Sequence, residues 1–305
     1  MKKTWYSNGK LILTGEYMIS YGAVALAIPV KYGQSLKIVE TPGNASLIFS
    51  TEVLDKPWFE AEYYPDSFEI FETTNISNAL YLQTLLRAAR SLNPDFLRDE
   101  KQISAMASIN FNISWGLGSS SSLISNVAWW ADVDPFKLNR LISKGSGCDI
   151  ACARSKVPIL FSLKNFIPKV ESVKFNPDFS DHIWFIYLEQ KQSSRVSLHE
   201  LLENTNPSVS DINEISEISN AFLNVNNISE LSDLMKHHEM LISKILGIKP
   251  IQLLHFPDFK GTIKSLGAWG GDFCMVVTDE NEEYVKQYFE QKGLKNILTF
   301  KELSI

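Results

Sequence analysis

The segment of this sequence best suited to chemistry is Trp115-Gly-Leu-Gly-Ser-Ser-Ser-Ser122. The alternating run Ala105–Ile113 before it reads as a strand, and Ser120–Trp130 after it as a helix. Glycines let backbone approach a ligand closely, and a helix start points unpaired N–H groups at whatever sits there. Phosphate is the natural occupant, with four hydroxyls adding donors and possible Mg²⁺ ligands. A plain Gly/Ser turn ending in a serine N-cap fits the octapeptide equally well. Two other phosphate motifs are excluded: no Gly-Lys-Ser/Thr follows these glycines, and Ser121 stands where a dinucleotide fingerprint needs its third glycine.

The whole chain limits what this turn can serve. With 305 residues it is long enough for two domains of ordinary size. Hydrophobic residues make up 45% and charged residues 21%, the balance of a globular protein. The formal net charge is −6, which argues against nucleic acid or an anionic membrane and leaves a small anion held locally. Met18–Val30 is apolar but contains Pro29 and falls short of the roughly 20 residues needed to span a bilayer, so a buried strand is expected. Cys148, Cys152 and Cys274 form no CxxC pair, so reduced thiols and a cytoplasmic location are expected. Cys148 and Cys152 could share a helix face, but histidines at metal-site spacing are absent.

Periodicity supplies the elements that would position the turn. Lys10–Leu13, Val24–Pro29, Ser35–Val39 and Ser46–Phe49 read as short strands. Leu80, Leu82, Leu85, Leu86 and Ala89 give a helical stripe over Asn78–Ser91, and Asp134-Pro135 opens another helix as N-cap and first residue. Ile159–Leu163 and Ile183–Leu188 read as strands, Val209–Val225 and Ile228–Ile245 as helices. The end reads strand Phe273–Val277, helix Glu282–Gln291, strand Asn296–Phe300, which suits a split βαβ second domain. A boundary near residue 170 gives domains 1–170 and 171–305.

Three separated segments, read together, resemble the GHMP kinases, the family of galacto-, homoserine, mevalonate and phosphomevalonate kinases. Gly9-Lys10-Leu-Ile-Leu-Thr-Gly15-Glu16-Tyr17, running on to Gly22, is similar to the N-terminal motif. Gly116–Ser122 resembles the phosphate-binding motif, and Leu266-Gly-Ala-Trp-Gly-Gly-Asp-Phe-Cys274 the glycine-rich motif near the C-terminus. Gly145-Ser-Gly-Cys-Asp149-Ile-Ala151 is similar to the stretch carrying the catalytic aspartate in the mevalonate kinase branch. All occur in the family's order and cover nearly the full length.

The resemblance implies an α+β fold of two domains, an N-terminal one like ribosomal protein S5 domain 2 and a ferredoxin-like C-terminal one. It implies ATP and Mg²⁺ as cofactors and a small-molecule substrate. Asp149 matches the residue that accepts the substrate hydroxyl proton, and a turn or capping role is its alternative. Lys10 matches the lysine between hydroxyl and γ-phosphate, or is an exposed strand-end lysine. Gly116, Leu117, Gly118, Ser119, Ser120 and Ser121 match the phosphate loop, with Ser120 favoured as the Mg²⁺ ligand. Glu16 could support Lys10 or be solvated. Gly270, Gly271 and Asp272 would lie close to substrate, with Asp272 similar to the phosphomevalonate kinase version of the motif or a plain turn residue. Trp269 walls the acceptor pocket or packs in the core. Arg195 could clamp an acidic group of the acceptor or sit in a surface loop. His237-His238-Glu239 is expected on a partly exposed helix face.

Two departures accompany the match. Asn112 replaces the proline four residues before the first loop glycine, and Leu138 sits where mevalonate kinases carry a magnesium-binding glutamate. The expected function is therefore an ATP-dependent phosphotransferase on a small alcohol, mevalonate kinase-like, with phosphomevalonate kinase as the alternative. A diphosphomevalonate decarboxylase-like lyase or a non-catalytic nucleotide-binding protein are the further readings, and a monomer and a homodimer are both allowed.

Overall fold

The structure is a computed structural model that describes residues 2–43, 45–98, 101–143, 145–189, 206–267 and 272–305. Arg195, Trp269, Gly270 and Gly271 lie outside the described residues. Among the described residues, no helix is long and apolar enough to cross a membrane. The chain divides into two compact units, and β1 (Lys2–Thr14) and β2 (Ala25–Thr41) contribute residues to both.

The first unit comprises Met1–Gly9, Tyr32–Ile113 and Leu117–Arg154. Its strands are the second half of β2, β3 (Ser46–Val53), β4 (Lys56–Tyr63), β5 (Ile70–Thr73) and β6 (Gln102–Ile109), in the order β5-β4-β3-β6-β2. Only the β3–β6 pair is parallel; register pairs Leu36 with Ala107 and Phe49 with Ala105. Alternation in β6 buries Ile103, Ala105, Ala107 and Ile109 on one face. Against the sheet pack α1 (Ile76–Leu92), α2 (Ser119–Trp130), α3 (Pro135–Ile142) and α4 (Cys148–Arg154), around Ile38, Phe49, Leu82, Leu86, Val127 and Leu138. Asp134 caps α3 as expected, accepting from the Lys137 N–H at 2.7 Å. Leu80, expected in the buried stripe of α1, is 49% exposed.

The second unit comprises Lys10–Lys31, Ser114–Gly116 and Ser155–Ile305. The first unit thus ends at Arg154 rather than near residue 170, because the hairpin β7 (Ile159–Lys164) and β8 (Ile167–Ser172) pairs with the first half of β2, Ala25 opposite Phe161. A separate antiparallel sheet holds β9 (Ile183–Tyr187), β10 (Thr262–Leu266), β11 (Phe273–Val277) and β12 (Ile297–Thr299) in the order β10-β11-β9-β12. Helices α5 (Val209–Ala221), α6 (Ile228–Leu246) and α7 (Ile251–His255) come between β9 and β10, and α8 (Glu282–Gln291) between β11 and β12. That succession and strand order are those of a ferredoxin-like domain. A last helix, α9 (Phe300–Leu303), starts at the Thr299 capping box, which ends the expected strand one residue early.

Strand β10 was not expected from the sequence, and it carries an ionic cluster. Lys264 is fully enclosed and donates to Glu16 Oε1 at 3.0 Å and to the Ser265 carbonyl at 2.9 Å. Glu239 Oε1 accepts the Ser265 N–H at 3.0 Å, and His238 Nε2 accepts the Gly15 N–H at 3.0 Å. The histidine is therefore neutral with its proton on Nδ1, and burial holds its pKa well below the usual value. On the helix face expected to be partly exposed, His237 is exposed but His238 and Glu239 are buried, and Glu16 has an enclosed side chain rather than a solvated one.

Two carboxylates thus share one ammonium. Burial, opposed by Lys264 and reinforced by Glu16, pushes Glu239 up from 4.5 to about 7. A raised carboxylate pKa means the folded state holds the proton more tightly than the unfolded chain, so this group's stabilisation is present below about pH 4.5 and lost as pH rises through about 7. His238 has the opposite sign: its contribution is present above pH 6.5 and lost on acidification. Urea melts of the protein and of Glu239→Gln at several pH values separate the two. The wild-type stability minus that of the variant should fall, by on the order of 1–3 kcal/mol, between about pH 5 and 8. A difference independent of pH would show that Glu239 does not take up that proton.

Candidate functional site

Gly118 adopts the left-handed conformation (φ +92°) at the N-cap of α2, and no side chain caps the helix. The nearby hydroxyls point elsewhere. Ser121 Oγ donates to the Gly118 carbonyl at 2.9 Å, Ser122 Oγ bonds Gln34 Oε1 at 2.8 Å, and Ser120 Oγ pairs with the Tyr81 hydroxyl at 2.7 Å. The Ser122 N–H goes to the Gly118 carbonyl at 2.9 Å, which starts the helical ladder. The N–H groups of the first turn are left as an anion-binding edge with the helix dipole behind it. Of the expected loop residues, Leu117 is a buried core residue and Ser121 turns its hydroxyl inward, whereas Ser119 and Ser120 are accessible.

Beneath this edge lies a neutral hydrogen-bonded network in the same unit. Ser7 Oγ lies 2.8 Å from both Ser125 Oγ and Asn126 Oδ1, and Asn126 Nδ2 donates to the Gln34 carbonyl at 2.9 Å. Ser7, Gln34, Ser122, Ser125 and Asn126 are all buried. They fix α2 to β1 and β2, so the first turn cannot rotate without breaking several enclosed bonds at once.

A cavity of about 270 Å³ opens beside the edge, lined by Ser119 and Ser120 together with Trp58, Phe59, Tyr81, Leu82 and Ile113. A mostly apolar, aromatic wall with a few polar groups at one end is the usual make-up of a site for a flat heterocycle. Burial raises the Tyr81 hydroxyl pKa, against a smaller lowering by Ser120, so the phenol stays protonated.

Asp149 is the second residue of α4 and is half-buried. Helix α4 packs against α2. Arg154, at its far end, donates to Ser125 Oγ and the Ser125 carbonyl at 3.0 Å each and stacks 3.9 Å over the Trp129 ring. The helix bearing the carboxylate is thus anchored to the helix bearing the anion edge. Leu138 is wholly enclosed in the core, so α3 presents no carboxylate there. Among the described residues, no group of three or more His, Cys, Asp or Glu side chains could hold a metal ion.

The remaining candidates lie in the second unit. Lys10 Nζ donates to the Gly116 carbonyl at 3.4 Å. Gly116 has φ +66°, and a Cβ there would overlap the carboxylate of Asp272, so the first loop glycine is required by both conformation and space. Asp272 in turn accepts the Leu188 N–H through its carbonyl at 2.9 Å. Trp115 packs on Tyr187 and Phe273, and the Tyr187 hydroxyl donates to the Ser114 carbonyl at 3.0 Å. Lys10, Gly116 and Asp272 therefore meet. Glu16 joins Lys264 instead, and Arg195, Gly270 and Gly271 are outside the described residues.

Sequence reading missed Gln34, Tyr81, Asn126 and Arg154 as supports of the site. Their only advance signal is polarity inside apolar runs, such as Asn126 between Ile124 and Val127.

No protein-family model matches this chain, and no curated protein does. Solved structures match over nearly the whole length. Mevalonate kinase of Methanococcus jannaschii aligns with TM-score 0.68 and 18% identity, covering 98% of this chain and 99% of that one. Phosphomevalonate kinase of Streptococcus pneumoniae, in complex with phosphomevalonate and AMPPNP, gives 0.71 and 15% over 98% and 100%. Galactokinase of Lactococcus lactis, complexed with galactose, gives 0.69 and 13% over 100% and 93%. Three kinases of different acceptors match about equally well, and what they share with this chain is architecture: it has the two-domain α+β fold of the GHMP kinases.

Proposed function

We propose that the chain is an ATP-dependent phosphotransferase acting on a small alcohol, with mevalonate as first candidate and phosphomevalonate as second. The observation that carries this reading is the uncapped start of α2 beside an aromatic-walled cavity, packed against the helix that bears Asp149. The cavity suits a base, and the N–H edge suits phosphates one step away. The likeness in fold to a kinase holding AMPPNP supports ATP as the donor.

Bound with magnesium, ATP supplies the γ-phosphoryl group. Ser119, Ser120 and the first-turn amides hold its phosphate oxygens. Ser120 would hold the ion by giving up its hydrogen bond to the Tyr81 hydroxyl, and the ion would screen the phosphate charge. The resemblance assigns Lys10, which donates to the Gly116 carbonyl, the neutralising of charge on the transferring group. Asp149 accepts the proton of the attacking alcohol. Asp272 favours phosphomevalonate as the second candidate, since that version of the third motif carries an acid at the same place.

The direct test is ADP release with mevalonate, phosphomevalonate, homoserine and galactose. Turnover of one of them is expected, and ATP binding without turnover on any would leave a nucleotide-binding protein. With the productive acceptor, Asp149→Asn should lower kcat by roughly 10²–10⁴-fold while the Kd for AMPPNP stays within about threefold. Near-normal turnover in that variant would remove Asp149 from the mechanism. Gly116→Ala should weaken AMPPNP binding by at least about tenfold, or 1.4 kcal/mol, because the new Cβ displaces Asp272 and strains the loop. Unchanged affinity, measured by calorimetry, would place the nucleotide elsewhere.

A further inference from the structure

We infer that Lys264 is a positioning residue of this enzyme: its enclosed ammonium ties the Gly15–Tyr17 turn, at the end of the Lys10 strand, to the strand that enters the third glycine motif. The part concerning turnover rests on the kinase reading.

A lysine with no exposed surface is unusual, and one in a strand all of whose residues are buried, although it ends the sheet order, more so. Its two hydrogen bonds run in different directions, one along its own strand to the Ser265 carbonyl and one across to Glu16 Oε1. Glu16 belongs to a turn whose other polar ties lead to the same place. The Gly15 N–H goes to His238 Nε2 on α6, next to Glu239, which holds the Ser265 N–H. The Tyr17 hydroxyl donates to the Gly267 carbonyl at 2.8 Å, one residue beyond β10. Gly15 itself has no room for a side chain: a Cβ there would lie 2.8 Å from the Val24 carbonyl. The turn is thus gripped at three successive residues, twice by β10 or its end and once by α6.

The geometric consequence concerns Lys10. It lies on β1, which runs directly into this turn, and Gly116 and Asp272 adjoin it in the same unit. A shift of β10 relative to the turn would move β1, with Lys10, against the residue that closes the third motif. An apolar side chain of equal volume would fill the space around Lys264 but could not fix that register, because dispersion contacts have no direction.

Removing Lys264 alone leaves two buried carboxylates without a cation, a cost sufficient to unfold the chain whatever the turn does, so Lys264→Met by itself does not test position. The informative variant combines Lys264→Met with Glu16→Gln and Glu239→Gln, which removes the cation and both carboxylates while leaving an amide oxygen to accept the Ser265 N–H. It should keep a cooperative thermal transition within a few degrees of the wild-type Tm. Hydrogen exchange at the Gly15 and Ser265 amides should nevertheless quicken at least tenfold, and kcat should fall at least tenfold with the KM for ATP within threefold. Exchange at those amides unchanged, or kcat within threefold of wild type, would overturn the assignment and leave the cluster a matter of packing. If the wild-type chain releases no ADP with any of the four acceptors, the kinase reading is what has failed, and the exchange rates alone decide whether Lys264 holds the turn.

Discussion

A helix that begins without a side-chain cap keeps its first N–H groups for another partner, and much of the first unit is arranged so that α2 can begin that way. Gly118 supplies a left-handed residue with no side chain to fold back over the helix end. Ser121 and Ser122, which could have reached those amides, have their hydroxyls committed to the Gly118 carbonyl and to Gln34. Leaving out a cap costs about 1 kcal/mol. The enclosed bonds among Ser7, Gln34, Ser125 and Asn126 more than offset it, at about 1 kcal/mol each when satisfied. An anion there would replace the cap and recover the difference, so the loop is poised for a ligand rather than for its own comfort.

Local pattern carried far into the fold. The Asp134-Pro135 helix start and the buried strand from Ile183 stand where capping chemistry and periodicity put them, whereas the strand expected over Ala105–Ile113 runs over Gln102–Ile109 and Ile113 begins a 3-10 turn. The larger failures are at breaker residues and where burial and polarity coincide. Val24–Pro29 and Ser35–Val39 read as two strands because Pro29 and Gly33 separate them, yet β2 runs unbroken through both, and Gln34 within it has its side-chain oxygen and carbonyl satisfied from α2. Strand β10 reads as loop because Lys264 and Ser265 are polar, although every residue of it is buried. Their partners, Glu16 and Glu239, are 248 and 26 residues away in sequence. No window short enough to define a strand contains such a pair.

The candidate site divides the same way. The glycines and serines were singled out because phosphate chemistry restricts which residue types can face such a ligand, whereas Lys10 and Asp149 came only with the resemblance to a kinase family. The supports of these residues were not legible, since a buried amide or guanidinium can be anchored in many ways and only the fold selects one. Arg154 illustrates this. Read in sequence it closes a short helix; in space it fixes that helix to Ser125 and Trp129 and so determines where Asp149 is carried. Leu138 is the converse, a residue whose substitution for a carboxylate was visible in sequence and whose enclosure in the core explains why α3 contributes nothing polar there.

The two units solve the problem of rigidity with different chemistry. In the first, hydroxyls and amides are neutral, so burying them costs little beyond the need for partners, and nearly all of them have one. In the second, charged groups are buried together, and Glu16 Oε2, Glu239 Oε2, His238 Nδ1 and Ser265 Oγ have no hydrogen-bond partner among the described residues. By solvation alone that arrangement is inferior to an apolar core. What charge provides that apolar contact does not is a steep penalty for the wrong register, since a slip that parts Lys264 from Glu16 strands both in a medium that cannot solvate them. A neutral network holds a surface in place by many modest bonds, whereas a buried ion pair holds one turn by making every alternative costly. The second device suits a segment that must be fixed at a single point, and the Gly15–Tyr17 turn, bonded through three successive residues, is such a segment.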